Sequence, residues 1–140
     1  MVYYLKVYRE GKVNYGGMSI MNYEKSCGAV VYREHAGRIE YLAVKSKRDG
    51  HWGFAKGHVE KGETEIETAK REVYEETNVK VSLLDGFRVT KEYYPNEDLH
   101  KEVVFFIGKS DNYEVKIQED EVEECKFSFY DDMFSCFYIL

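Results

Sequence analysis

A glutamate-rich segment constrains the fold of this chain more than any other feature of its sequence. The segment GHVEKGETEIETAKREVYEETNV, residues 57–79, contains seven Glu among 23 residues. Thr64 and Glu67 have the spacing of a capping box, in which side chains at the N-terminus of a helix satisfy its free N–H groups. Asn78 suits a left-handed cap at the other end. We therefore predict a helix from Thr64 to Thr77.

The carboxylates of this helix are placed unusually for a solvated surface. Glu72, Glu75 and Glu76 share one flank, because residues three and four apart are neighbours on a helix. Like charges at that spacing cost roughly 0.2–0.5 kcal/mol per pair, and negative charge near a helix C-terminus opposes the helix dipole. They form either an acidic face in solvent or an oxygen-rich site for Mg²⁺ or Mn²⁺. The flank adjoins a predicted apolar stripe of Ile66, Ala69 and Val73.

The rest of the chain reads mainly as strands. Residues 26–34 and 39–46 form a predicted hairpin, separated by the turn HAGR. Strand-like runs follow at 79–94 and 101–110, and the last candidate strand is 124–130. One helix among these strands predicts an α/β domain with a mixed sheet.

Length and composition narrow the possible classes of protein. A chain of 140 residues is expected to form one domain, and its net charge of −6 argues against binding long nucleic acid. Charged residues interrupt the beginning, and the apolar tail is too short to span a membrane. Cys27, Cys125 and Cys136 have neither disulfide nor zinc spacing, which favours reduced thiols and a cytoplasmic location. Residues 1–21 suggest a hairpin or a mobile arm before a domain at 22–140.

The fixed residues of the acidic segment resemble the Nudix box, G-x5-E-x7-R-E-U-x-E-E-x-G-U, where U is a bulky aliphatic residue. The one departure is Asn78 at the second glycine, and a left-handed cap would accommodate it. The resemblance implies a Nudix α/β/α sandwich, a loop–helix–loop motif and metal-dependent hydrolysis of a nucleoside diphosphate linked to another group. The matching positions are Gly57, Glu63, Arg71, Glu72, Val73, Glu75, Glu76 and Val79.

The resemblance also implies roles for the residues of the motif. Glu72 and Glu76 would be the main ligands of Mg²⁺ or Mn²⁺, with Glu75 assisting and Gly57 offering its carbonyl. Glu63 and Arg71 would form an ion pair that braces the loop against the helix.

A general base is still required, and family members take it from the motif or from a distal loop. Glu72 is the candidate within the motif, and Glu75 belongs to the same candidate catalytic set. The distal candidates are Glu119, Asp120 and Glu121, with Glu121 taken as the representative. A charged turn before the last strand is the alternative interpretation of these three residues.

A wider region resembles the diadenosine tetraphosphate hydrolases within the family. Lys56 would meet a phosphate oxygen, and Ala55 replaces the usual proline before it. Tyr93 would stack on a base and Lys101 would contact phosphate, although core packing or a strand edge is an equal alternative. Trp52 is either a pocket wall or a plug under the loop. The histidines at 35, 51 and 100 are predicted to lie at the surface.

The predicted substrate is therefore a small nucleotide, most specifically a dinucleoside tetraphosphate cleaved asymmetrically. Modified nucleoside triphosphates or RNA 5′ ends are a second possibility, and a nucleotide-sensing module without turnover is a third. The resemblance implies a C-terminal helix after the last strand, and we expect Asp131 and Asp132 to open only a truncated one. An uncovered apolar face there could favour a homodimer.

Overall fold

The computed structural model describes residues 7–9, 12–15, 19–111 and 114–134, and side chains at 21–111 and 114–133. Within these residues the chain forms two helices and ten strands of one mixed sheet. The helices are α1, Glu65–Thr77, and α2, Tyr130–Phe134. The strands are β1 Val7–Arg9, β2 Lys12–Tyr15, β3 Ser19–His35, β4 Arg38–Ser46, β5 Trp52–Gly53, β6 Lys56–His58, β7 Val81–Leu83, β8 Val89–Asn96, β9 Leu99–Ser110 and β10 Val122–Ser128.

Strand β3 is the axis of the sheet. It runs parallel to β9 from Asn22 to Tyr32, and its other edge pairs antiparallel with the short strand β6. Its last residues pair with β4, which confirms the predicted hairpin. The strand is longer than the predicted 26–34 because its first residues pair with β2 and β9 as well. The predicted α/β fold with a mixed sheet is confirmed.

The N-terminal strands β1 and β2 pair antiparallel, and β2 pairs with the start of β3. Strand β3 crosses the predicted boundary between an arm at 1–21 and a domain at 22–140. Residues 1–6, 10–11 and 16–18 of the predicted arm lie outside the described residues.

Helix α1 begins and ends as its sequence predicts. The Thr64 hydroxyl accepts from the Glu67 N–H at 3.1 Å, and the Glu67 carboxylate accepts from the Thr64 N–H at 2.8 Å. Asn78 has φ 61° and ψ 15°, and its N–H bonds to the Tyr74 carbonyl. Asparagine therefore supplies the left-handed conformation expected of glycine at this position.

The predicted apolar stripe of α1 is only partly correct. Ala69 and Val73 are fully buried, but Ile66 is 48% exposed. The buried face also includes Glu72 and Glu76, so its centre is rotated away from Ile66. The helix therefore buries its carboxylate row together with its apolar row.

The core lies between α1 and the sheet. Cys27, Val104 and Phe106 project from β3 and β9 towards Ala69. Gly28, on the other face of β3, is needed because a Cβ there would overlap the Ala55 carbonyl as β6 passes. A second cluster contains Ala29, Val31, Leu42, Val44, Val73, Val79, Val81 and Val122.

Helix α2 contains Asp131 and Asp132 in its first turn, as expected of a short C-terminal helix. Residues 135–140, including Cys136, lie outside the described part of the chain. Cys27 and Cys125 are free thiols, and burial raises the pKa of each to about 11. Among the described residues, neither helix is long and apolar enough to cross a membrane.

Candidate active site

Arg71 is the hub of the loop–helix motif. Its Nε and Nη2 bind the two Glu63 oxygens at 2.7 and 2.9 Å, a bidentate geometry. Its Nη1 donates to Glu72 at 2.7 Å and to Glu75 at 3.0 Å, and Nη2 also donates to the His58 carbonyl at 2.9 Å. One guanidinium therefore joins strand β6, the loop after it and the middle of α1.

Glu63 is fully satisfied by its surroundings. Its Oε1 also accepts from the Glu60 N–H at 2.8 Å and from the Thr68 hydroxyl at 3.2 Å. The Arg71 hydrogen bonds are the main reason that the pKa of Glu63 falls to about 2. Glu63 is therefore a permanently charged structural carboxylate.

Glu72 lies directly against strand β6. A Cβ on Gly57 would overlap the Glu72 carboxyl group, so only glycine fits between the strand and this side chain. Burial raises the pKa of Glu72, and the bound Arg71 opposes that effect. The fixed glycine of the motif thus gives the carboxylate room at the strand.

Glu76 occupies the most unfavourable environment for a carboxylate in the motif. It is only 8% exposed, and although the Lys56 N–H donates to its carboxylate, Oε2 has no hydrogen-bond partner among the residues that the structure describes. Burial, followed by the charges of Glu72 and Glu121, raises its pKa to about 8. A buried anionic oxygen without a partner is costly, and a bound cation would offset that cost.

These oxygens fit a hard divalent cation. Mg²⁺ binds through one or two carboxylates, and water and substrate phosphates complete its shell. Glu76 Oε2 offers one ligand oxygen without a hydrogen-bond partner among the described residues. Glu72 is close enough for its charge to raise the pKa of Glu76. Among the described residues, no three Asp, Glu, His or Cys side chains form a ready cage.

The loop before β10 brings a distal carboxylate to this place. The Gln118 N–H bonds to the Glu76 carbonyl at 3.2 Å, and the Lys116 N–H bonds to that of Thr77 at 3.0 Å. The Glu121 carbonyl accepts from the Lys47 N–H at 3.0 Å. Glu121 is exposed, yet its charge raises the pKa of both Glu72 and Glu76. Glu119 and Asp120, the neighbouring candidates, are exposed in the same turn.

Three candidate substrate residues share the sheet face opposite α1. Alternate residues of a strand point to opposite faces, so Glu24, Ser26 and Gly28 face away from the helix that covers Cys27. Lys101 pairs in register with Glu24 and with Tyr93, and Lys56 pairs with Gly28. Lys56, Tyr93 and Lys101 are therefore on one face, which we call the basic face.

An ion-pair chain crosses the basic face and was not anticipated from the sequence. Glu24 Oε2 lies 3.3 Å from Lys101 Nζ and 3.5 Å from His58 Nε2. Burial of its ammonium lowers the pKa of Lys56, and the charge of Lys101 contributes to the same shift. The alternation of residues along β3 indicates which face Glu24 occupies. Only the register with β9 then places it beside Lys101.

Trp52 is half-buried, and Lys126 Nζ lies 4.6 Å from the centre of its ring. Its pairing with Lys45 puts it on a short strand beside β4. This cation–π contact orients the indole, and it is compatible with both predicted roles of Trp52, a pocket wall and a plug under the loop.

The predicted surface position of His100 is wrong, whereas His35 and His51 are exposed as expected. His100 is 1% exposed, because the parallel pairing of β3 and β9 places it beside Tyr23 on the face that α1 covers. Tyr23 packs edge-on at 5.2 Å, and Tyr94 stacks on the imidazole at 4.6 Å. His100 is thus part of an aromatic layer.

The NUDIX domain family model matches residues 22–135 of this chain. The chain belongs to the NUDIX family. The NUDIX motif matched in the sequence is therefore the loop–helix–loop that Arg71 holds together, and the chain is a NUDIX hydrolase.

Three similar proteins place the chain within the NUDIX family. It is 34% identical over 105 residues to the asymmetrical bis(5′-nucleosyl)-tetraphosphatase of Rattus norvegicus, covering 67% of this chain and 70% of that protein. A binary complex of the C. elegans Ap4A hydrolase superposes with a TM-score of 0.73 at 30% identity, covering 81% and 85%. The NAD-capped RNA hydrolase NudC of Mannheimia succiniciproducens is 32% identical over 90 residues, covering 64% of this chain and 32% of that protein.

Proposed function

We propose that this NUDIX enzyme hydrolyses dinucleoside polyphosphates, with a bis(5′-nucleosyl)-tetraphosphate as its preferred substrate and a nucleoside triphosphate and monophosphate as products. The observation that carries the proposal is the buried, unpartnered Glu76 oxygen beside Lys56, at the edge of the basic face. An oxygen site for a cation and a group of ammonium donors for phosphate meet there. The tetraphosphatase relatives support the substrate class.

Glu72 and Glu76 would hold Mg²⁺ or Mn²⁺, with Glu75 and the Gly57 carbonyl nearby. When bound, such a cation neutralises the charge of the pyrophosphate group and favours attack by water. The Glu63–Arg71 pair keeps Glu72 oriented, because Arg71 binds both carboxylates through one planar group. The Glu63–Arg71 pair would therefore already hold Glu72 in place before a cation binds.

Glu121 is the proposed general base. It is exposed, so it can reach water, and its charge acts on both Glu72 and Glu76, so it lies beside the reaction site. Its carboxylate would accept the proton of the attacking water as the new P–O bond forms and the anhydride P–O bond breaks, and the leaving phosphate departs with that bond's electron pair.

Lys56 and Lys101 would bind the phosphate chain. Their ammonium groups already repel each other, and phosphate oxygens between them would remove that cost. Tyr93, in register with Lys101 on the neighbouring strand, would stack on a nucleobase.

The NudC relative supports a second candidate, hydrolysis at an RNA 5′ end or of another capped nucleotide. That match spans only about a third of the relative. The acidic net charge of −6 disfavours a long RNA substrate.

The deciding experiment is steady-state turnover with Mg²⁺ and with Mn²⁺ on a panel of substrates. The panel contains diadenosine tetraphosphate, diadenosine triphosphate, NAD-capped RNA and a modified deoxynucleoside triphosphate, and products are separated by chromatography. We expect the tetraphosphate to have the highest kcat/KM and to yield ATP and AMP. Glu76→Gln should lower kcat/KM by more than the roughly 10–100-fold that is typical when a residue supporting a metal ligand is changed. A higher kcat/KM on capped RNA would replace the first proposal with the second.

A further inference from the structure

A cavity of about 470 Å³ opens beside the first residues of the parallel pair β3 and β9. This volume is within the range of small-molecule sites. The cavity lies outside the acidic motif and its candidate metal ligands. Its lining residues are Asn22, Tyr23, Glu24, Asn96, Asp98 and Leu99.

One backbone and one side-chain hydrogen bond fix the walls of the cavity. The Asn22 N–H donates to the Asp98 carbonyl at 2.7 Å, and the Asp98 N–H donates to Asn96 Oδ1 at 2.9 Å. The turn between β8 and β9 is therefore tied both to β3 and to itself. These hydrogen bonds fix the shape of the cavity at this end of the sheet.

The lining suits a neutral polar ligand better than a phosphate. The carboxylates of Glu24 and Asp98 repel anions, but they accept hydrogen bonds from hydroxyl groups. Acidic side chains bind ribose hydroxyls in this way in dinucleotide-binding folds. The amides of Asn22 and Asn96 add groups that match the edge of a nucleobase.

The cavity is continuous with the basic face through Glu24, which lines the cavity and also pairs with Lys101 and His58. Along β3, Asn22 and Gly28 are six residues apart on the same face, or about 20 Å at ~3.3 Å per residue. Lys101 stands beside this row, as does Lys56 at its Gly28 end. The Lys56 N–H contacts the Glu76 carboxylate.

We propose that this cavity binds the nucleoside of the substrate that lies farther from Glu76, so that a dinucleoside polyphosphate lies extended along β3. This inference rests on the proposed function. Its ligand is a nucleoside with free ribose hydroxyls, its phosphates continue past Lys101 to Lys56, and cleavage occurs beside Glu76. In asymmetrical cleavage this nucleoside leaves with the longer phosphate chain.

The first test is kinetic. Asp98→Ala removes a hydroxyl acceptor, and Asn22→Phe fills the cavity. Each should raise KM for diadenosine tetraphosphate about tenfold, the value of one good hydrogen bond, with kcat within about twofold. Asp85→Ala is the matched control: this exposed acid follows β7, which pairs with the opposite end of β9, and KM should not change.

The second test does not depend on hydrolysis. Adenosine is titrated into the metal-free protein while the side-chain amide resonances of Asn22 and Asn96 are followed by NMR. We expect both resonances to shift in the wild-type protein and in Asp85→Ala, and to shift less in Asp98→Ala. Binding of 2′,3′-dideoxyadenosine, which lacks both hydroxyls, should be about tenfold weaker.

The two tests separate the cavity from the proposed function. If the enzyme cleaves diadenosine tetraphosphate with the same KM in both variants, and adenosine leaves both amides unshifted, the cavity proposal is overturned while the function stands. If no dinucleoside polyphosphate is cleaved but adenosine shifts the amides in the hydroxyl-dependent way, the proposed function fails and the nucleoside cavity stands.

Discussion

The two ends of the acidic motif hold the same kind of side chain in opposite electrostatic environments. At the loop end, Glu63 receives both arms of the Arg71 guanidinium, and its pKa falls to about 2. At the other end, Glu76 is buried with an unpartnered oxygen, and its pKa rises to about 8. Glu63 is paired directly with a guanidinium, whereas the positive charge of Lys56 only partly offsets the burial of Glu76.

This difference separates a structural carboxylate in the loop before α1 from a candidate functional carboxylate on the helix. The region around Glu63 is complete without any ligand, because Arg71, Thr68 and the Glu60 N–H satisfy it. The region around Glu76 is incomplete, and Glu72 and Glu121 add more negative charge to it. Perturbed carboxylates of this kind cluster at functional sites, because selection for stability alone would remove them.

Outside the proposed metal ligands, the largest effect is expected at Glu121. Glu121→Gln should lower kcat about 100-fold with little change in KM, because a general base contributes to the chemical step and not to binding. Glu119→Gln, in the same exposed turn, is the matched control and should keep wild-type kcat. Equal kcat in the Glu121 variant would move the general base into the motif, to Glu72 or Glu75.

A smaller effect is expected when the brace is weakened without changing charge. Arg71→Lys keeps one cation but loses the fork that binds Glu63 and Glu72 together. We expect kcat/KM to fall about 10–100-fold, as for other groups that orient a metal ligand.

Arg88→Lys is the control for the brace, because Arg88 makes a similar bidentate contact to Glu65 on the first turn of α1. Its kcat/KM should change less than threefold. Equal losses in the two variants would mean that the Arg71 effect reflects general stability and not the orientation of Glu72. Thermal unfolding of both variants measures that contribution directly.

The basic face should produce a binding effect of about tenfold. Lys101→Gln removes a charge from the proposed phosphate path and should raise KM for diadenosine tetraphosphate about tenfold at low salt. Lys109→Gln, at the far end of the same strand, should leave KM unchanged. A kcat effect without a KM effect would assign Lys101 to the chemical step.

The sequence predicted helix α1 and its caps well because their signals are local. Capping residues, the left-handed Asn78 and the carboxylate spacing all act within one helix, where position in the sequence fixes position in space. Ile66 was misplaced because the sequence does not show how far the buried face of α1 turns to cover Glu72 and Glu76.

The substrate half depends on pairing between distant strands. Glu24 meets Lys101 only because β3 and β9 are parallel and in a particular register. A shift of β9 by one residue would move Lys101 to the face opposite Glu24. The burial of His100 and the cavity near Asn22 depend on the same register. None of these follows from periodicity within a single strand.

The smallest expected effect is on thermal stability, and it tests the difference in pKa between Glu63 and Glu76. It is measured on metal-free protein in EDTA. The folded-state pKa of Glu76 is about 8, above its ordinary value of 4.5, so the folded protein binds this proton more tightly than the unfolded chain. Wild-type stability should therefore decrease as pH rises from about 4.5 to 8. Glu76→Gln lacks this loss, and at pH 8 it should be more stable by about 2 kcal/mol, on the order of 5 °C in Tm.

Glu63→Gln should have the opposite sign. The pKa of Glu63 is lowered to about 2, so its ionised form stabilises the fold above about pH 4.5 and that stabilisation is lost only towards pH 2. Its Tm should therefore be below that of the wild type at both pH 5 and pH 8. Mg²⁺ should raise the wild-type Tm and leave Glu76→Gln nearly unchanged, since a cation that binds only the folded protein stabilises it. Two variants that shift Tm in the same direction in EDTA would mean that Glu76, like Glu63, is satisfied by the protein alone.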